Sequence, residues 1–170
     1  EVWTLTAPAT GANTLTATFS VSLESMVQAY ALSGANQTTP VDATSTGETA
    51  AASTQSLSVT TNVANDLLID CQGQATNSTG SPDAGQTERV DTIYNSAGAN
   101  SRSARSSDEA ATTAGSYTMG WTLSQTEPNI MGIIAIAPAA AVAGGEPNFD
   151  GFLMWFMFLG IAPFPKVRMI

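Results

Sequence analysis

The chain has 170 residues, a net charge of −9 and no histidine, and only 11% of it is charged, against roughly 25% in ordinary soluble domains. That length suits one domain with its own core, and so few cations exclude a nucleic-acid backbone as partner. Without histidine, Ser-His-Asp and Cys-His catalysis are excluded unless a second chain supplies the base.

The first stretch, "VWTLTAP", predicts a strand ended by Pro8, and "ATGAN" supplies a turn. In "TLTATFSV" the alternation is nearly ideal, with Leu15, Ala17, Phe19 and Val21 on one side and Thr14, Thr16, Thr18 and Ser20 on the other. Together they predict a hairpin. "SMVQAYALSG" predicts a third strand bounded by Gly34. The next segment, "ANQTTPVDATSTGETAAASTQ", is polar and reads as surface loop with at most an edge strand.

Regular structure resumes at "SLSVTT", where Leu57 and Val59 alternate with Ser56, Ser58 and Thr60. "NDLLIDC" is a short apolar run, and Cys71 at its end reads as a small buried residue rather than a reactive thiol. As the single cysteine it excludes an intrachain disulfide. "TERVDTIY" predicts a strand after the turn "DAGQ", whereas "NSAGANSRSARSSDEAATTAGS" reads as loop. In "YTMGWTL", Tyr117, Met119, Trp121 and Leu123 share one face. "IMGIIAIAP", with Ile134 inside it, is apolar on both faces and suits a central strand. No segment of this region has a helical period. The expected fold is all-β, an antiparallel β-sandwich of Ig-like or jelly-roll-like type, with Phe19, Trp121 and Ile134 in its core and Trp3 beside them.

With those strands in place, the chain resembles a β-sandwich module of large secreted and cell-surface proteins of bacteria. The resemblance rests on "EVWTLTAPATGANTLTATFS", "YALSGANQTTPVD", "SVTTNVANDLLID", "AGQTER" and "YTMGWTLSQTEPNIMGIIAIAPA". It implies an Ig-like fold for most of residues 1–139 and no particular activity. It also implies further strands ahead of "EVWTL". Their absence from this chain predicts an open edge that a neighbouring subunit's strand could fill. The other expectation is a chain that is a piece of a longer protein, favoured by a start at Glu1 without methionine or leader pattern.

The expected organisation is a β-sandwich over 1–138, a flexible linker over 139–149 and an apolar segment over 150–170. That segment contains Phe152, Leu153, Met154, Trp155, Phe156, Met157, Phe158 and Leu159, with Lys166 and Arg168 behind the run. An apolar run followed by cations has the order of a C-terminal membrane anchor with the acidic domain outside. Length is the objection. As a helix, 152–164 spans about 20 Å, against about 30 Å of hydrocarbon. The competing expectation is a segment packed on the sandwich.

Carboxylates in proximity, Asp66 with Asp70 and Asp83 with Glu88 and Asp91, could serve a glycosidase or a calcium site. No Asp-x-Asp-x-Asp-Gly loop is present, and solvated turn acids are the stronger expectation, as for Asp108 and Glu109. Trp3, Tyr30, Tyr94, Tyr117 and Trp121 could line a glycan platform, though core packing is their default. The sequons at Asn36 and Asn77 suit exposed loops. No cofactor or metal is expected. The expected function is that of a non-enzymatic extracellular module, structural or adhesive and tethered to the cell surface. Its expected partners are a membrane through the C-terminal segment, further copies through strand pairing, or a glycan. A soluble carbohydrate-binding module and a filament or virion subunit completed by strand donation are the alternatives.

Overall fold

Leu57 lies against Gly47 of its own strand, near enough that a Cβ at Gly47 would meet Leu57 Cδ1 at 3.0 Å. Ten residues of extended strand cover about 33 Å, so this strand must double back on itself. It does so as half of a long two-stranded ribbon. A computed structural model describes residues 2–8, 14–18, 26–94, 101–140 and 152–159, the last by backbone alone.

The elements in chain order are β1 (Val2–Leu5), β2 (Met26–Ser33), β3 (Val41–Thr61), β4 (Asp66–Gln74), β5 (Gly80–Pro82), β6 (Thr87–Tyr94), β7 (Arg102–Ala111), β8 (Gly115–Ile136) and β9 (Phe152–Leu159). Every pairing among them is antiparallel, and no helix occurs among the described residues. One sheet has the order β1-β9-β2, and the other β3-β8-β4-β7-β6, with β5 added to β8. The all-β, antiparallel expectation is thereby met.

The β3–β8 ribbon breaks register between Thr49 and Ala52 and again between Ala52 and Thr54. Such irregularities bend a strand and raise its twist. On one side of the bend, β8 residues 129–136 pair with β4, and on the other, 121–123 pair with β5. Odd-numbered residues of both halves of β8 face inward. Met119, Trp121 and Leu123 therefore pack with Met131, Ile133 and Ala135 around Leu68, Ala111 and Val59.

The opposite face of β4 and β8 carries Ile69, Cys71, Ile134 and Ile136, with Tyr30 and Leu32 of β2 packed against them. Strand β4 is thus covered on both faces, as its "LLI" run requires. Past β2, Gly34 adopts φ 76°, and Asn36 N–H donates to Ala137 O at 2.9 Å, tying this end to the end of β8.

Trp121 and Ile134 are each 1% exposed, as expected of core residues, whereas Phe19 lies outside the described residues. Four local expectations need correction. β1 pairs with β9, and residues 14–18 form no strand, so the predicted hairpin is not the partner of β1. Alternation specifies a strand's faces but not its neighbour. The polar segment after Gly34, read as loop with at most an edge strand, is strand for most of its length: it is the first half of β3, which stands at the edge of the six-stranded sheet. Ala43, Ser45, Gly47 and Thr49 turn inward there while Thr44, Thr46 and Glu48 are exposed, a period of two written in small and hydroxyl residues. The segment around Arg102–Ala111 is likewise a strand, β7, between β4 and β6. Finally, "YTMGWTL" and "IMGIIAIAP" belong to one strand, β8, running through the polar "SQTEPN".

Candidate functional site

Strand β7 is polar because its inward side chains meet polar partners. Arg105 stands opposite Gln72 of β4 and Asp91 of β6 in the sheet register. Its Nε donates to Asp91 Oδ1 at 3.2 Å and its Nη1 to Gln72 Oε1 at 2.5 Å, while Nη2 donates to Ser78 O. The guanidinium also lies 5.9 Å from the Trp121 ring centroid, within cation–π range. Asp91 in turn accepts from Gly80 N–H at 3.1 Å. Arg105 is 0% exposed, and burial pulls its pKa down against the opposing charge of Asp91.

Asp70, one pair of residues along the same face of β4, is also 0% exposed. Its carboxylate accepts from Ser107 N–H at 2.7 Å, Ser107 Oγ at 2.8 Å, Trp121 Nε1 at 2.9 Å and Gln86 Nε2 at 3.1 Å. Gln86 is itself fixed by Gly120 N–H, which donates to its Oε1 at 2.8 Å. Burial pushes the Asp70 carboxyl up to about 6 against the pull of the Ser107 and Trp121 donors. Four donors occupy its lone pairs, so the group has little capacity left for a substrate. This network holds the two halves of the bent ribbon together from within.

The second polar place is at the turn between β3 and β4. Asp66 is 1% exposed, and neither of its carboxylate oxygens has a hydrogen-bond donor. The Asp42 carboxyl lies against it, and the two acids share a hydrogen bond in which protonated Asp66 is the donor. Burial, then the contact and charge of Asp42, push Asp66 up to about 6. Asp42 is half-exposed and is itself held below the ordinary range. Its slight burial is outweighed by donors, among them Asn62 N–H at 2.6 Å and Asn62 Nδ2 at 3.3 Å.

On the face of the six-stranded sheet that β2 packs against, Arg89 makes a two-pronged pair with Asp108, at 2.5 and 3.0 Å. It borders a groove of about 510 Å³ between β2 and β6, lined also by Met26, Gln28, Tyr30 and Val90. Tyr30 Oη donates to Ser106 Oγ, and burial pushes its phenol up to about 12. Cys71 is buried, as expected, and burial pushes its thiol pKa upward.

The expected site residues are thus dispersed. Asp66 and Asp70 are not solvated, because both lie on the inner face of β4, and they join separate clusters. Asp91 and Asp108 pair with different arginines. Asp83 and Glu88 are exposed, and Glu109 is half-exposed. Trp121 is enclosed, Tyr117 hydrogen-bonds Thr113, and Tyr30 packs between the sheets, which leaves Tyr94, 52% exposed, as the most open aromatic among those described. Asn77 is exposed and Asn36 half-exposed, the latter accepting from Thr38 N–H at 2.9 Å.

The segment Phe152–Leu159 is the middle strand of the smaller sheet. Val2 to Leu5 pair with Met157 to Met154, and Met26 to Ser33 pair with Leu159 to Phe152. No helix among the described residues is long and apolar enough to cross a membrane. Sequence reasoning missed Asp42, Gln86 and Ser107. No local pattern singles them out, since each acts on a residue of another strand. No protein-family model matches the chain, and no curated protein or solved structure matches it.

Proposed function

We propose that the chain is a non-enzymatic module of the extracellular surface, structural or adhesive, built as an Ig-like antiparallel β-sandwich. In this reading the apolar segment Phe152–Leu159 acts as a completing strand. The observation that carries it is the register of that segment, whose backbone pairs on both sides at once. A strand with both edges taken is the interior strand of its sheet, and "FLMWFMFL" carries no charged or polar residue. The saturated Asp70 and Arg105 clusters support a structural rather than a catalytic role. The hydroxyl-rich, weakly charged composition and the resemblance to bacterial surface modules support the location. The same pairing made between copies would give self-association by strand exchange.

The test uses the full chain and a version ending at Pro147, expressed in the same membrane-containing cells and washed with alkaline carbonate. The expected result is release of both. Hydrogen exchange then shows residues 2–5 and 26–33 losing protection only in the shorter chain, with 41–136 unchanged. Retention of the full chain alone in the membrane pellet would overturn the completing-strand reading in favour of an anchor.

A further inference from the structure

The groove beside β2 is bounded by a strand edge. Five consecutive residues of β2, 26–30, line it, and across from them stand Arg89, Val90 and Thr92 of β6. A strand turns alternate side chains to opposite faces, so only its edge presents five residues in a row to one cavity. The sheet order agrees: β2 ends the three-stranded sheet and β6 ends the six-stranded one. The other edge of β2 is taken by β9 along its whole length, and no described residue pairs with the edge that meets the groove. Gln28, 9% exposed, lines the groove with its Nε2 buried and without an acceptor, while its Oε1 accepts from Cys71 Sγ at 3.8 Å. A free row of backbone N–H and C=O groups beside an unmet amide donor suits an extended chain, which offers partners to both at the strand period.

A segment with the matching property lies in the same chain. Residues 14–18, "TLTAT", alternate Leu15 and Ala17 with threonines, as a strand does, yet they form no strand, and Leu15 is 40% exposed. We propose that the groove between β2 and β6 accepts residues 14–18 of a second copy of this chain as an added strand on the free edge of β2. The lengths match, since each run of five residues covers about 17 Å when extended. With Leu15 and Ala17 turned inward, they extend the row of Met26, Gln28 and Tyr30 that faces the larger sheet, and the threonines continue the outer row of Val27 and Ala29. A backbone carbonyl of the added strand supplies the acceptor that Gln28 Nε2 lacks. Donor segment and groove are different patches, so the contact closes reciprocally into a dimer or continues from copy to copy. This rests on the reading of the chain as a self-associating module, but it uses the edge of β2 opposite β9 and leaves Phe152–Leu159 in place.

The experiment follows the mass of the full chain by sedimentation velocity from micromolar to submillimolar concentration, beside Thr16→Pro, and records amide exchange at both limits. Proline removes an N–H from the donor and is not tolerated inside a paired strand. Position 16 is exposed and outside any strand, so the variant is expected to keep the native Tm. The expected result is a native mass that at least doubles with concentration, with slower amide exchange at 26–30 in the associated form, while Thr16→Pro stays monomeric. A native chain that is monomeric at every concentration overturns the inference. Association of Thr16→Pro equal to the native chain's also overturns it, and leaves strand exchange through Phe152–Leu159, and with it the proposed function, standing. Protection of 26–30 that is independent of concentration and lost in Thr16→Pro assigns the groove to the chain's own segment and overturns the second copy as occupant. Should Thr16→Pro lose Tm, the native chain decides alone: exchange at 26–30 that slows with rising concentration supports the inference, and unchanged exchange overturns it.

Discussion

A methyl group at position 80 would sit 2.8 Å from Arg105 Nε and 2.9 Å from its Cδ. Arg105 cannot retreat, since Asp91, Gln72 and Ser78 hold its other side. Gly80→Ala should therefore destabilise by roughly 2–3 kcal/mol, the scale of overpacking in a tight interior, read as a lower urea midpoint with unchanged slope. Gly120 faces a different obstacle, the side-chain end of exposed Asp83 together with Gln55 O at 3.0 Å. Asp83 can swing aside, so Gly120→Ala should cost less than Gly80→Ala in the same assay. At this scale the sequence was partly legible. Trp121 and Ile134 stand out as core because large apolar residues on alternating strands have few other places to go. Asp66 and Asp70 look like ordinary turn acids, because burial of a carboxylate depends on donors or charges that come from distant strands.

Strand β7 shows how an element can be hidden. Its centre, "SARSS", contains no large apolar residue, yet Ser103 to Ser107 are all buried. Hydrophobic periodicity finds strands that bury oil, and β7 buries hydroxyls and a guanidinium. The element depends on the fork of Arg105, which bonds to both neighbouring strands and to a loop carbonyl. Arg105→Lys keeps the charge but cannot reproduce three directed bonds. It should lower stability by about 2–4 kcal/mol, measured by denaturant unfolding, with loss of amide protection concentrated in β6 and β7. The β3–β8 ribbon was legible only in pieces. "SLSVTT", "YTMGWTL" and "IMGIIAIAP" read as separate short strands because the residues at the bend, including Pro128, resemble a turn. In the fold they are the irregular middle of continuous strands. By contrast β2 and β6 were legible almost to the residue: β2 alternates and is bounded by Gly34, and β6 follows the "DAGQ" turn, though a bulge between Glu88 and Val90 breaks its alternation.

For the whole molecule, the acids make stability depend on pH in an unusual direction. Asp66 and Asp70 both have folded pKa values near 6, above the ordinary value of about 3.9. Between those limits the folded state holds protons that the unfolded chain releases, so stability falls as pH rises from about 4 to 6 and then levels. Asp70, fully enclosed, accounts for a change of order 2 kcal/mol over that window. Asp42, held low, acts oppositely, and its stabilisation is lost as pH falls through its folded pKa. Tm should therefore decline between pH 4.5 and 6.5, and the decline should be shallower in Asp66→Asn.

The smaller sheet has one more consequence, a mechanical one. Because Val2 faces Met157 and Leu5 faces Met154, the outward ends of β1 and β9 lie on the same side of the sheet. Tension applied at residues 2 and 159 loads the outermost hydrogen bonds first and opens them singly, as a zipper opens, rather than shearing the row together. Under such a load the seam should open before the bent ribbon that encloses Arg105.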